Sequence, residues 1–81
     1  MIDWQNVVTN PLWSPKDLAL TYSLYHFSAL SGKEVGVVYT RDGRRVRLFV
    51  DDEPATPFMS TRSLIRDLQE RIRALRHSLN E

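Results

Sequence analysis

The chain is expected to form an α+β fold in the order helix, β-hairpin, helix. Two antiparallel helices would pack on a two-stranded antiparallel hairpin, with an extended N-terminal arm ahead of them. Three observations predict this. Apolar residues recur at helical spacing over 18–30 and again over 64–79, two β-prone runs meet at Asp42-Gly43 between them, and the first thirteen residues keep no period. With 81 residues, 42% hydrophobic and 26% charged, the chain holds one core, too short for two and too apolar for a disordered tail. Residues 1–13 are accordingly read as an arm and 14–81 as a single domain.

The arm ends in Asn10-Pro11-Leu12-Trp13, and the prolines at 11 and 15 bias the residue before each away from helix. It nevertheless carries Ile2, Trp4, Val7, Val8, Leu12 and Trp13, more apolar surface than a solvated tail needs, so a covering partner is expected. Ser14-Pro15-Lys16-Asp17 is a helix start: Ser14 can cap, Pro15 sits where its missing N–H costs nothing, and Asp17 completes a capping-box pattern. Gly32 is the stop. Within the helix, Leu18, Tyr22, Tyr25 and Ala29 form one stripe, and Leu20, Leu24, Phe27 and Leu30 a second on a neighbouring face. Two stripes on one helix of so short a chain leave two readings, a wide single core face or a second stripe packed on another subunit. The latter is the expectation and places Leu20, Leu24 and Phe27 at a subunit interface.

Residues 35–50 give the clearest local signal. A two-residue type I′ turn at Asp42-Gly43 pairs Tyr39 with Val46, Val37 with Leu48 and Val35 with Val50, placing six apolar side chains on one face. The other face takes Gly36, Val38, Thr40, Arg45, Arg47 and Phe49. Asp51 to Phe58, with Pro54 and Pro57, reads as a loop, after which Ser60 or Thr61 caps a helix with Leu64, Ile65, Leu68, Ile72, Leu75 and Leu79 on one stripe. Asp67/Arg71 and Arg66/Glu70 stand at i,i+4 spacing on its polar face.

Leu30-Ser31-Gly32-Lys33-Glu34-Val35, then Arg41-Asp42-Gly43-Arg44-Arg45-Val46, then a Ser/Thr-capped helix with Leu68, Ile72 and Leu75 resemble the gpW-like head-tail joining proteins of long-tailed phages, over about residues 16 to 76. The resemblance implies a structural connector in the virion neck, made in the host cytoplasm. Such a protein assembles after DNA packaging as a homo-oligomeric ring of roughly twelve copies beneath the portal protein. It would retain the genome, touch the DNA in the channel without sequence preference, and present a surface to the downstream stopper or tail protein. It implies no catalytic residues. Members of the family begin close to the first helix and carry a C-terminal tail used in tail joining. Here the extension is N-terminal, so Ile2, Trp4, Leu12 and Trp13 are expected to anchor the arm on the portal.

The remaining chemistry is sparse. With no cysteine and with His26 and His77 outside any ligand spacing, neither a metal site, a cofactor nor an enzyme is expected. Asp51-Asp52-Glu53 reads as a solvated loop or an acidic contact for a neighbour's arginines, so Asp51, Asp52, Arg62 and Arg66 join the expected subunit interface. Arg41, Arg44, Arg45 and Arg47 crowd the hairpin tip, which offers a contact to acidic protein or to DNA. A small nucleic-acid-binding or regulatory module using that hairpin is the competing reading, against a formal net charge of only +1. No run approaches the roughly 18 apolar residues of a membrane span, and the start has neither a basic nor an apolar leader region, so a cytosolic chain without membrane contact is expected.

Overall fold

The computed structural model describes the backbone of residues 15–79 and the side chains from Leu18 onward; Ser14 and the arm residues Ile2, Trp4, Leu12 and Trp13 lie outside the described residues. The order is α1 (Pro15–Ser31), β1 (Val35–Tyr39), β2 (Val46–Val50), β3 (Glu53–Pro54) and α2 (Thr61–Leu79). The fold is α+β, with both helices packed together and against one face of an antiparallel sheet of order β1-β2-β3. β3 lies within Asp51 to Phe58, a stretch that reads as a loop in the sequence.

α1 stops where a residue without Cβ permits the left-handed backbone: Gly32 has φ 67° and its N–H donates to the Ser28 carbonyl at 2.9 Å. The Ser28 hydroxyl donates to the Lys33 carbonyl (3.0 Å) and the Lys33 N–H to Ser31 Oγ (3.2 Å), which turns the chain towards β1. β1 and β2 pair in the expected register, Val35 with Val50, Val37 with Leu48 and Tyr39 with Val46. The turn differs from expectation. A type I′ turn needs φ above zero at both central residues, and of Asp42 and Gly43 only Gly43, at 71°, meets that condition. The connection is instead a four-residue loop, 41–44, closed by Thr40 N–H donating to the Arg45 carbonyl (2.9 Å) and Gly43 N–H to the Thr40 carbonyl (2.8 Å). Lengthening the loop by one residue on each side leaves the pairs unchanged, which is why the register survives the change of turn.

The left-handed pair occurs one turn later. Asp51 (φ 51°) and Asp52 (φ 67°) lie between the paired Val50 and Glu53 and form a two-residue β2–β3 connection with no glycine. This backbone costs an ordinary L-residue about 1–2 kcal/mol and is tolerated best by Asp and Asn. Asp51 is held there by two bonds to the start of β1: its N–H donates to the Glu34 carbonyl (2.7 Å) and its Oδ1 accepts the Glu34 N–H (3.0 Å).

From β3 the chain continues along β2, with Ala55 N–H donating to the Leu48 carbonyl (2.8 Å) and Met59 exchanging both backbone bonds with Val46 (2.7 and 2.9 Å). The two stretches are out of step by two residues, so 56–58 bulge opposite Arg47. Because a slip of two keeps side-chain parity, Ala55 and Met59 both pack on the core. Pro54 pairs with Phe49 at a position whose N–H would point away from β2, so its missing donor costs the ladder nothing. Inside the bulge the Thr56 hydroxyl replaces a carbonyl. It accepts the buried Leu48 N–H (3.1 Å) and donates to the Pro57 carbonyl (3.0 Å). Ser60 then caps α2 through Oγ, which accepts the Ser63 N–H at 3.2 Å.

The core takes Leu20, Leu24 and Phe27 from α1, Val35, Val46 and Leu48 from the sheet, and Leu64, Leu68 and Ile72 from α2. This corrects the expected subunit interface: Leu20, Leu24 and Phe27 are 2%, 5% and 7% exposed, interior to the chain itself. They are the stripe that meets α2 and the sheet, so the stripe left outside is the other one, with Tyr22 50% and Tyr25 44% exposed.

Two predictions follow from the packing. Leu24→Ala is expected to cost about 2–5 kcal/mol in urea unfolding, and Tyr22→Ala under about 1 kcal/mol; equal losses would return both stripes to the core. Thr56→Val, which removes the acceptor of Leu48 N–H at nearly constant volume, is expected to cost about 1–3 kcal/mol, whereas Thr56→Ser retains most of the stability.

Candidate functional site

The expected hairpin cluster of four arginines divides in two. Arg41, Arg44 and Arg45 are exposed on the loop beyond the strands. The backbone beneath them is ordered by Thr40 and Asp42. The Thr40 hydroxyl donates to Asp42 Oδ1 (2.6 Å), the Arg44 N–H donates to the same oxygen (3.0 Å), and Arg45 N–H donates to Thr40 Oγ1 (3.2 Å). The Thr40 hydroxyl first, then the Arg44 N–H, holds the Asp42 carboxyl below its ordinary value of 3.8. Arg47 belongs elsewhere. It is half-buried on β2, its guanidinium carbon lies 4.7 Å from the Phe58 ring centroid, and its buried Nε has no hydrogen-bond partner. Its role is to hold the bulged return segment against the outer face of the sheet.

The acidic run is likewise split. Asp51 spends its carboxylate on Glu34 N–H, while Asp52 and Glu53 are exposed and make no ion pair among the described residues. Of the two i,i+4 pairs expected on α2, Asp67 and Arg71 close and Arg66 and Glu70 do not. Arg71 also donates through Nη2 to the Ala55 carbonyl at 3.2 Å, fastening α2 to the end of β3. Arg62 and Arg66, expected at a subunit interface, are exposed near the N-terminal end of α2.

One concave surface brings together residues that the sequence does not by itself place side by side. Tyr22, Ser23 and His26 of α1 face Gln69, Ile72, Arg73 and Arg76 of α2 across a groove. A second hollow, on the sheet side of the helix pair, is lined by Phe27, Leu30, Lys33, Asp51, Glu53, Arg71 and Leu75, among others. The signal that could have found the first groove is the charge pattern of α1: from Leu18 to Ser31 there is no Asp, Glu, Lys or Arg. A helix exposed on one side normally carries charge there, and a helix without it is normally covered.

His26 and His77 are on different helices and both exposed, and the described residues contain no group of three or more His, Cys, Asp or Glu able to hold a metal ion. No described helix is long and apolar enough to cross a membrane. What the arrangement offers is contact: an arginine-tipped hairpin, an acidic turn, and an uncharged aromatic helix face flanked by Arg73 and Arg76. No protein family, curated protein or solved structure matches this chain.

The Asp42 network predicts an acid limb in stability. Since its folded pKa is lowered, the contribution is complete above the unfolded value near 3.8 and is lost as pH falls through the lower folded value. Asp42→Ala is expected to lower the melting temperature at pH 7 and to reduce its fall between about pH 4 and 2. Parallel wild-type and variant curves over that range would remove the network from the stability of the loop.

Proposed function

We propose that the chain is a structural head-tail connector of a tailed phage, assembling as a ring beneath the portal after DNA packaging and offering the docking surface for the next neck or tail protein. The observation that carries this reading is the order helix, hairpin, helix closed around one core, with an uncharged aromatic face of α1 left half-exposed. That order matches what the sequence resemblance implies, and the open face supports assembly as the means of covering it. A domain of this size buries only roughly 60–65% of its unfolded surface, so contacts with neighbours add stability that the core alone does not supply. In this reading the arm, Ile2 to Trp13, engages the portal, no catalytic step is involved, and the protein resides in the virion neck.

A second reading has its own observation. Arg41, Arg44 and Arg45 stand exposed on a loop ordered by hydrogen bonds, which supports phosphate contact by a small nucleic-acid-binding module.

One pair of measurements separates the two. Light scattering and electron microscopy of the purified protein, alone and with the portal from the same genome, are expected to show a monomer or small oligomer that adds as a ring under the portal. A free dimer that ignores portals and binds DNA with a steep salt dependence would replace the connector with the nucleic-acid module.

A further inference from the structure

We infer that the groove between α1 and α2 receives the acidic β2–β3 turn of a second copy of the chain, so that copies join head to tail. The inference rests on the ring reading above and names the contact that builds the ring.

The groove has the composition of an interface centre. Its α1 wall belongs to a stretch, Leu18 to Ser31, without a charged residue, and presents the half-exposed Tyr22 beside His26. Interface centres are depleted of charge and enriched in tyrosine and arginine. Its α2 wall adds Arg73 and Arg76, both exposed and in no ion pair among the described residues. Two guanidinium groups in no ion pair among the described residues, beside an aromatic ring, call for an anionic occupant.

The chain carries such an occupant on another surface. Asp51 and Asp52 form a two-residue turn, both left-handed, that leads into Glu53, and Asp51 is tied by two bonds to Glu34, which restrains the turn. Asp52 and Glu53 are exposed and unpaired among the described residues. A pre-ordered tip loses little conformational freedom on docking.

The two surfaces cannot satisfy each other within one copy. On α2 the Leu64-Leu68-Ile72 stripe divides them, with Arg71 on the side of the acidic turn and Gln69, Arg73 and Arg76 on the other, and the two hollows share no lining residue. Pairing groove with groove about a two-fold axis would set Arg73 and Arg76 against their own copies. Pairing turn with groove sets opposite charges together and leaves one free turn and one free groove at the ends, the heterologous arrangement from which closed rings are made.

The test uses the full chain in sedimentation equilibrium at about 20 mM and 500 mM salt, with circular dichroism as a check on folding. Wild type is expected to self-associate at low salt and less at high salt. Arg73→Glu with Arg76→Glu, or Asp52→Lys with Glu53→Lys, is expected to weaken association at least about tenfold. An equimolar mixture of the two variants is expected to restore it, because the acidic groove of one meets the basic turn of the other. If either reversal perturbs the fold, Arg73→Gln/Arg76→Gln and Asp52→Asn/Glu53→Gln replace it, with losses in the same direction.

A wild-type chain that stays monomeric up to about 1 mM at low salt, reversals without effect, or a mixture that fails to restore association would each overturn the contact. Association abolished by deleting residues 2–13 yet insensitive to both reversals would assign the groove to the arm and also overturn it. Reversed variants that still add to the portal as a ring defeat the contact and leave the connector standing. Charge-dependent association without any addition to the portal does the opposite.

Discussion

β2 is the constraint on which the rest of the structure depends. It is hydrogen-bonded along both edges, to β1 on one side and to β3 and the bulged return segment on the other, and its Val46 and Leu48 are completely buried. A central strand whose inward side chains have no exposure fixes what must cover it. Leu64, Leu68 and Ile72 of α2 and Leu20, Leu24 and Phe27 of α1 close over the same face, each such side chain contributing about 1.5–3 kcal/mol when removed from water. It also fixes the return path. Leu48 N–H, buried and facing a bulge, needs an acceptor, and Thr56 supplies it from the bulge that also holds Pro57.

How much of this was legible follows from the range of the interactions. The hairpin register was legible because alternation and turn position are properties of neighbouring residues, and the apolar pairing admits only one alignment. The helix ends at Pro15, Gly32 and Ser60 were legible for the same reason. The third strand was not. Pro54 and Pro57 are breakers by local rules, and only the geometry of β2 shows that the first falls where no N–H is needed and the second within a bulge. The exchange of turns has the same origin: Asp42-Gly43 has the preferred type I′ sequence, but bonds from Thr40 and Arg44 to the Asp42 carboxylate hold a wider loop, while bonds from Glu34 hold Asp51 in the left-handed form.

The candidate surfaces were legible in composition and misread in phase. Two apolar stripes on α1 were visible, but which one faces inward depends on how α1 is rotated against α2 and the sheet, and no periodicity in α1 alone encodes that rotation. Hence Leu20, Leu24 and Phe27 moved from interface to core, and Tyr22 and Tyr25 moved outward. The charged residues divide by a similar logic. Arg47, Arg71 and Asp51 each have a neighbour within the fold, the Phe58 ring, the Ala55 carbonyl and the Glu34 N–H, and are engaged by it. Charges without such a neighbour among the described residues remain outside, among them Arg41, Arg44 and Arg45 at the tip, Arg73 and Arg76 by the groove, and Asp52 and Glu53 at the turn.

That division bears on why α1 lacks charge from Leu18 to Ser31. A helix packed on one side needs an apolar stripe of about 100°, and the Leu20, Leu24 and Phe27 stripe already provides it. Solubility of a lone domain is served by Lys and Glu on the remaining face, as α2 shows with its arginines and acids. Tyrosine with serine and alanine in those positions gives a surface that water tolerates and that the proposed partner would cover without stripping charges of their hydration, the most costly part of closing an interface. In the proposed contact the cations of α2 lie at the edge of that face and the free acids on a separate turn, so the electrostatic attraction would act at the rim, where it orients the approach rather than opposing burial.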